Sequence, residues 1–218
     1  MKMVKGCVFF LFLLNMVGCA YYQATYDINL SAVERPTDAK DRYGEQQIVS
    51  FEDQGLTKYR FEDEMVEIVW LPMATEIGFE LRNKTTHSMK IIWDESVYVD
   101  ELGESKRIMH SGVKYIEKGN PQPPTVVVRG ASVFDVILPI DNVSYESGKY
   151  GGWEKGALFP EKTASGADTN TASLFENRVK ALVGKTVQVL LALKIEDVVN
   201  EYIFSFVIND YKIRKISQ

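Results

Sequence analysis

Alternation of apolar and polar side chains with a period of two runs through most of this chain, and it commits the chain to sheet. Ile77, Phe79 and Leu81 alternate with Gly78, Glu80 and Arg82; Met89, Ile91 and Trp93 alternate with Lys90, Ile92 and Asp94. Side chains two apart on a strand share a face, so each run makes one buried side. Asn83-Lys84-Thr85-Thr86-His87 between these runs is a polar turn of hairpin length. Further strands are predicted over 46–51, 58–71, 97–99, 107–111, 125–129 and 132–138. A closing hairpin is predicted from Val187, Val189, Leu191, Leu193 and Ile195, answered by Tyr202, Phe204, Phe206 and Ile208.

One helix interrupts the strands. Ser173-Leu174-Phe175-Glu176 has the capping-box form, Phe175, Val179 and Leu182 fall on one helical face, and Gly184 stands where a chain leaves a helix. This predicts a helix over about 173–183. Strands at intervals of roughly ten residues, without alternating strand–helix units, predict a mainly β fold, an antiparallel β-sandwich. The stretch 77–113 resembles the immunoglobulin-like sandwiches of the late-embryogenesis-abundant type. That resemblance implies an immunoglobulin-like arrangement of the strands and a structural or protective role.

The first 19 residues carry a different message. Lys2 and Lys5 precede an apolar run from Gly6 to Met16, then Val17-Gly18-Cys19. The run is too short for a spanning helix, which takes about 20 residues, and a basic start with a short apolar middle describes a cleaved secretory signal. Met16-Val17-Gly18-Cys19 resembles the lipobox of bacterial lipoproteins. The resemblance implies that residues 1–18 are removed and that Cys19 receives a diacylglycerol and an N-acyl chain such as palmitate. It also implies a lipid-anchored protein of the cell envelope, and Ala20 after the cysteine implies the outer membrane, facing the periplasm, where two membranes exist. Cys7 would be discarded, and beyond Cys19 the chain has no cysteine, which excludes disulfides and Cys-ligated metals from the folded part.

Residues 19–45 lack a sustained period and read as a tether, with Tyr26, Ile28 and Leu30 able to add a strand at the edge; 46–218 then form the sandwich domain. Cleavage would remove Lys2 and Lys5, leaving 23 basic against 30 acidic residues, a net charge of −7. Such a surface disfavours nucleic acid.

Chemistry is sparse. Ser111 or Ser96, His110 and Asp94 or Asp100 offer the residue types of a triad, but neither a Gly-x-Ser-x-Gly elbow nor metal-ligand spacing of histidines is present. Asp94, Glu95, Asp100, Glu101 and Glu104 form an acidic group that Lys106 and Arg107 follow directly, which reads as a solvated, partly salt-bridged face rather than a calcium site. No catalytic residue, metal or cofactor beyond the lipid is expected. Residues 142–171 are rich in glycine and read as a long loop, with Tyr145, Tyr150, Trp153 and Phe159 as candidate binding residues. The leading expectation is a non-enzymatic binding or assembly module for an envelope protein or glycan. The alternatives are an envelope glycan hydrolase using carboxylates within 94–104, and a structural or protective lipoprotein without a specific ligand.

Overall fold

A computed structural model describes residues 20–217; the residues read as a cleaved signal, the Met16-Val17-Gly18-Cys19 motif that resembles a lipobox, and Cys19 itself lie outside the described residues. Fourteen strands are formed by these residues: β1 (Ala20–Glu34), β2 (Gln47–Asp53), β3 (Leu56–Glu62), β4 (Val66–Pro72), β5 (Ile77–Asn83), β6 (Met89–Ile91), β7 (Val97–Val99), β8 (Ser105–Met109), β9 (Thr125–Val127), β10 (Ser132–Pro139), β11 (Val143–Glu146), β12 (Gly152–Lys155), β13 (Thr186–Ile195) and β14 (Val198–Ser217). A one-turn helix α1 (Ala39–Tyr43) follows β1, and α2 (Thr169–Lys180) precedes β13. No helix among the described residues is long and apolar enough to cross a membrane.

The fold is mainly antiparallel β. Twelve strands form one sheet whose main path runs β1-β14-β13-β7-β8-β10-β5-β4-β3-β2, with β6 on β13 and β9 on β6. The sheet folds over on itself where β8 pairs with β10 through Met109 and Leu138. This sets β4 against β14: the Trp70 ring lies 4.7 Å from Phe204 and 5.5 Å from Phe206, and Phe61 meets Phe204 edge-on at 5.4 Å. The inward faces are those that the alternation marked, since Ile68, Leu81, Ile91, Val189, Leu191 and Phe204 are all buried.

Three expectations change. The segment assigned to a tether is largely β1, which pairs with β14 from Ala20↔Ser217 to Glu34↔Ile203 and buries Leu30 and Val33 in the core. Its apolar spacing is broken because the pairing shifts register between Asp27 and Ile28 and again between Leu30 and Ala32, and a bulge moves later side chains onto the other face. The continuous run 58–71 is two strands, because the Asp63 carboxylate accepts from the N–H groups of Met65 (2.8 Å) and Val66 (3.0 Å) and turns the chain. The helix starts four residues before Ser173. Asp168 is the N-cap, accepting from Thr171 N–H at 2.7 Å, while the Ser173 hydroxyl bonds back to Thr169 O. Phe175 and Val179 still face inward, packing on Ala24 of β1.

Candidate functional site

The long loop at 142–171 is not structureless: β11 and β12 make a hairpin of their own, apart from the main sheet. Its root is buried, its middle is aromatic, and its tip is exposed. At the root Val143 packs with Met109 and Leu138, and the Lys118 ammonium donates to the carbonyls of Ile140 (2.8 Å) and Val143. Asn142 accepts from Gly156 N–H through its carbonyl and donates through its side chain to Ala157 O, and Lys155 pairs with Glu76 at 2.7 Å. At the turn, a Cβ on Gly151 would lie 2.1 Å from Glu146 O, so that close backbone approach requires glycine.

The register sets Tyr145 opposite Trp153 on one face of the hairpin, with ring centroids 5.5 Å apart and nearly edge-on. Tyr115, from the connection after β8, adds a third ring 6.1 Å from Trp153, with the exposed Ile116 next to it in the chain. Tyr150 at the tip is 90% exposed, with the Lys149 ammonium 5.3 Å from its ring centre. Trp153 retains 38% exposure and Tyr145 is exposed. Three of the four sequence candidates thus sit together on one projecting element. Phe159 does not: it is 5% exposed and packs on Tyr26 at 5.3 Å, because the chain after β12 returns to β1, where the Tyr26 hydroxyl donates to Pro160 O at 2.5 Å. Burial pushes the Tyr26 phenol up to about 12, so it stays a neutral donor. Tyr115 and Ile116 were not marked in the sequence, where an aromatic next to an apolar residue inside a polar connection is the only cue.

Such a shelf offers flat π-faces and phenol hydroxyls, suited to the apolar face of a sugar ring or to the apolar side chains of a partner protein. A cavity of about 250 Å³ is lined by Tyr26, Ile28, Met73 and Phe159 among others, with none of the shelf aromatics in its wall.

The groups considered for catalysis lie elsewhere and are committed to structure. His110 stacks on Trp93 with centroids 4.3 Å apart and planes 4° from parallel, and its Nδ1 is 3.1 Å from Asp135 Oδ2. Asp135 Oδ1 accepts from the N–H groups of Ser111 and Val136, both at 2.8 Å. The pair therefore fastens the end of β8 to β10, and the histidine's partner is Asp135 rather than Asp94 or Asp100. Asp100 caps its own turn, accepting from Leu102 and Glu104 N–H, and pairs with Lys106 at 3.0 Å; Asp94 accepts from Gln122 N–H and lies 3.6 Å from Arg107. Among the described residues no group of three or more metal-ligating side chains converges.

The Asp135 contacts predict acid sensitivity. Burial pushes its carboxyl up, but the hydrogen bonds from His110, Ser111 and Val136 outweigh this and hold it below the ordinary aspartate value of 3.8. A carboxyl with a lowered folded-state pKa contributes stability above its unfolded value and loses it as pH falls through the folded one. Asp135→Asn is expected to cost about 1–2 kcal/mol at pH 7 and to reduce the stability lost below about pH 4. Urea unfolding at pH 7 and pH 3 measures both; equal losses in the two proteins would contradict the assignment.

The chain matches none of the protein-family models, curated proteins or solved structures with which it was compared.

Proposed function

We propose that this chain is a lipid-anchored binding module of the bacterial cell envelope, held by lipid on Cys19, whose β11–β12 hairpin meets an envelope protein or glycan. The anchor rests on Met16-Val17-Gly18-Cys19 and the signal features before it. A mature lipoprotein carries two or three acyl chains, and stable membrane retention needs at least two.

The observation that carries the binding reading is the exposure of Tyr150 and Trp153 on a hairpin whose root is tightly held. Large aromatics usually gain free energy by burial, and here three stand on a rigid projection, where contact with a partner recovers that gain at small ordering cost. A hydrolase using 94–104 has less support, because Asp94 and Asp100 are already engaged in turn caps and ion pairs.

The test uses cells producing the full chain. Palmitate labelling is expected on the unaltered protein and absent from Cys19→Ser, which should leave the membrane fraction; retention of that variant would refute the anchor. A photo-crosslinking side chain at Tyr150 is expected to capture a partner that one at the exposed Val126 does not. Trp153→Ala should weaken the interaction roughly 30-fold, since central aromatic anchors are worth about 2 kcal/mol or more. The same products from both crosslinking positions would refute the role of the hairpin.

A further inference from the structure

Strand β1 begins at Ala20, the residue after Cys19, and it begins inside a paired ribbon: Ala20 lies opposite Ser217, and Gly166 N–H donates to Ala20 O at 2.8 Å. Any lipid on Cys19 is therefore joined directly to a structured end of the domain. That end is basic. Lys215 lies opposite Tyr22, Arg214 opposite Gln23 and Lys212 opposite Thr25, while Lys162 bridges to Gln23 from the outer edge of β1.

All four cations are exposed, and among the described residues none of them makes an ion pair. Alternation along β14 puts Lys212 and Arg214 on one face of the ribbon and Lys215 on the other, so charge surrounds its end. Four carboxylates offset part of this charge: Glu161, which accepts from Gln23 Nε2 at 3.2 Å, and Asp168, which caps α2, lie on the adjoining segment, while Asp27 and Asp210 face each other beside Lys212, farther from Ala20. At about 3.3 Å per residue, Lys215 and Arg214 stand roughly 7–10 Å along the strand from Ala20. This is within about one Debye length at 0.1 M salt. Tyr21 and Ile216 face each other at the same end, half-buried, the kind of pair that sits well at headgroup level.

We propose that the Ala20/Ser217 end is a docking surface for anionic phospholipid, which holds the domain against the bilayer in one orientation; this rests on Cys19 being the anchor. The net charge of −7 expected for the cleaved chain would repel such a surface in most orientations, and the basic end selects the one it tolerates. Each Lys or Arg close to an anionic membrane contributes roughly a fivefold gain in partition, so Arg214 and Lys215 together should give on the order of 25-fold, and Lys212, roughly 17 Å along the strand from Ala20, should add less.

The experiment is independent of lipidation. The chain from residue 19 with Cys19→Ser is sedimented with vesicles of phosphatidylcholine alone or with 30% phosphatidylglycerol, at low salt. Preference for the anionic vesicles is expected, with loss in 0.5 M salt. Lys212→Gln/Arg214→Gln/Lys215→Gln should bind both compositions alike, Lys212→Arg/Lys215→Arg should keep the preference, and Lys90→Gln/Lys114→Gln/Arg129→Gln, which removes as much charge elsewhere, should also keep it. Equal binding of the chain altered only at Cys19→Ser to both vesicles overturns the proposal, as does equal loss in the two glutamine triples. Either result leaves the Cys19 lipid to be judged by palmitate labelling alone.

Discussion

A chain that begins at residue 46 is expected not to fold, although the alternation in its sequence is intact from there on. β1 supplies Leu30 and Val33 to the core and sets Leu30 opposite Phe206 and Val33 opposite Phe204. A fully buried aliphatic side chain contributes about 1.5–3 kcal/mol, and Tyr26 and Ile28 pack against the same cluster. The losses continue beyond packing. Asn29 accepts from the Tyr59 hydroxyl, Tyr43 donates to Asn200 at 2.6 Å, and Arg35 faces Asp63; removing residues 20–45 strips the partner from each. Together these are comparable with the roughly 5–15 kcal/mol that hold a domain folded. The chain 20–218 should melt cooperatively by circular dichroism, whereas 46–218 should show no cooperative transition and should bind a hydrophobic dye. A cooperative melt of the shorter chain within about 5 °C of the longer one, a shift of roughly 2 kcal/mol or less at this size, would return residues 19–45 to the role of a tether.

Asp63→Ala is expected to destabilise the protein by about 3–5 kcal/mol, the cost of leaving a charged partner unmatched inside a fold. The Asp63 side chain is fully buried and is met by four donors: the backbone N–H groups of Met65 and Val66, the Tyr202 hydroxyl at 2.9 Å, and Arg35 Nη1 at 3.5 Å. Arg35 is itself nearly buried, with one further contact to Gly44 O at 2.9 Å. Alanine would leave a guanidinium, a phenol and two turn amides facing an apolar space. Burial, with the Asp63 carboxylate beside it, pushes the Tyr202 phenol up, so it remains a neutral donor throughout the accessible pH range. Asp63→Asn keeps an acceptor for the turn and should lose less, about 1–2 kcal/mol. Guanidinium unfolding of both variants measures the difference, and a loss under 1 kcal/mol for Asp63→Ala would contradict the cluster's role.

The parts of the molecule legible in the sequence are those whose cause is local. The faces of β5, β13 and β14 follow from a period of two, and Phe175 and Val179 follow from a helical period, because neighbouring side chains alone decide which of them can be buried together. The hairpin carrying Tyr145, Tyr150 and Trp153 was legible as a concentration of aromatics and glycines, but not as paired strands. Its order comes from contacts at its root: Val143 packs with Met109 and Leu138, Lys118 reaches in to the carbonyls of Ile140 and Val143, and Asn142 ties the two ends together. Phe159 looked like its neighbours in composition and parted from them only because Tyr26 receives it.

By itself, the sequence determined the class of fold, the inward faces, and the motif at Cys19 on which the proposed anchor depends. Tertiary structure alone decided that the edge strand offered by Tyr26, Ile28 and Leu30 runs the whole of Ala20–Glu34, that Asp63 both turns the chain and neutralises Arg35, and that Arg214 and Lys215 from the far end of the chain stand close to Ala20. The physical reason is separation along the chain. Alternation records what a residue does relative to its neighbours, whereas a bulged register, a buried charge pair and a shared end each depend on partners up to about 200 residues away, and no local pattern carries them.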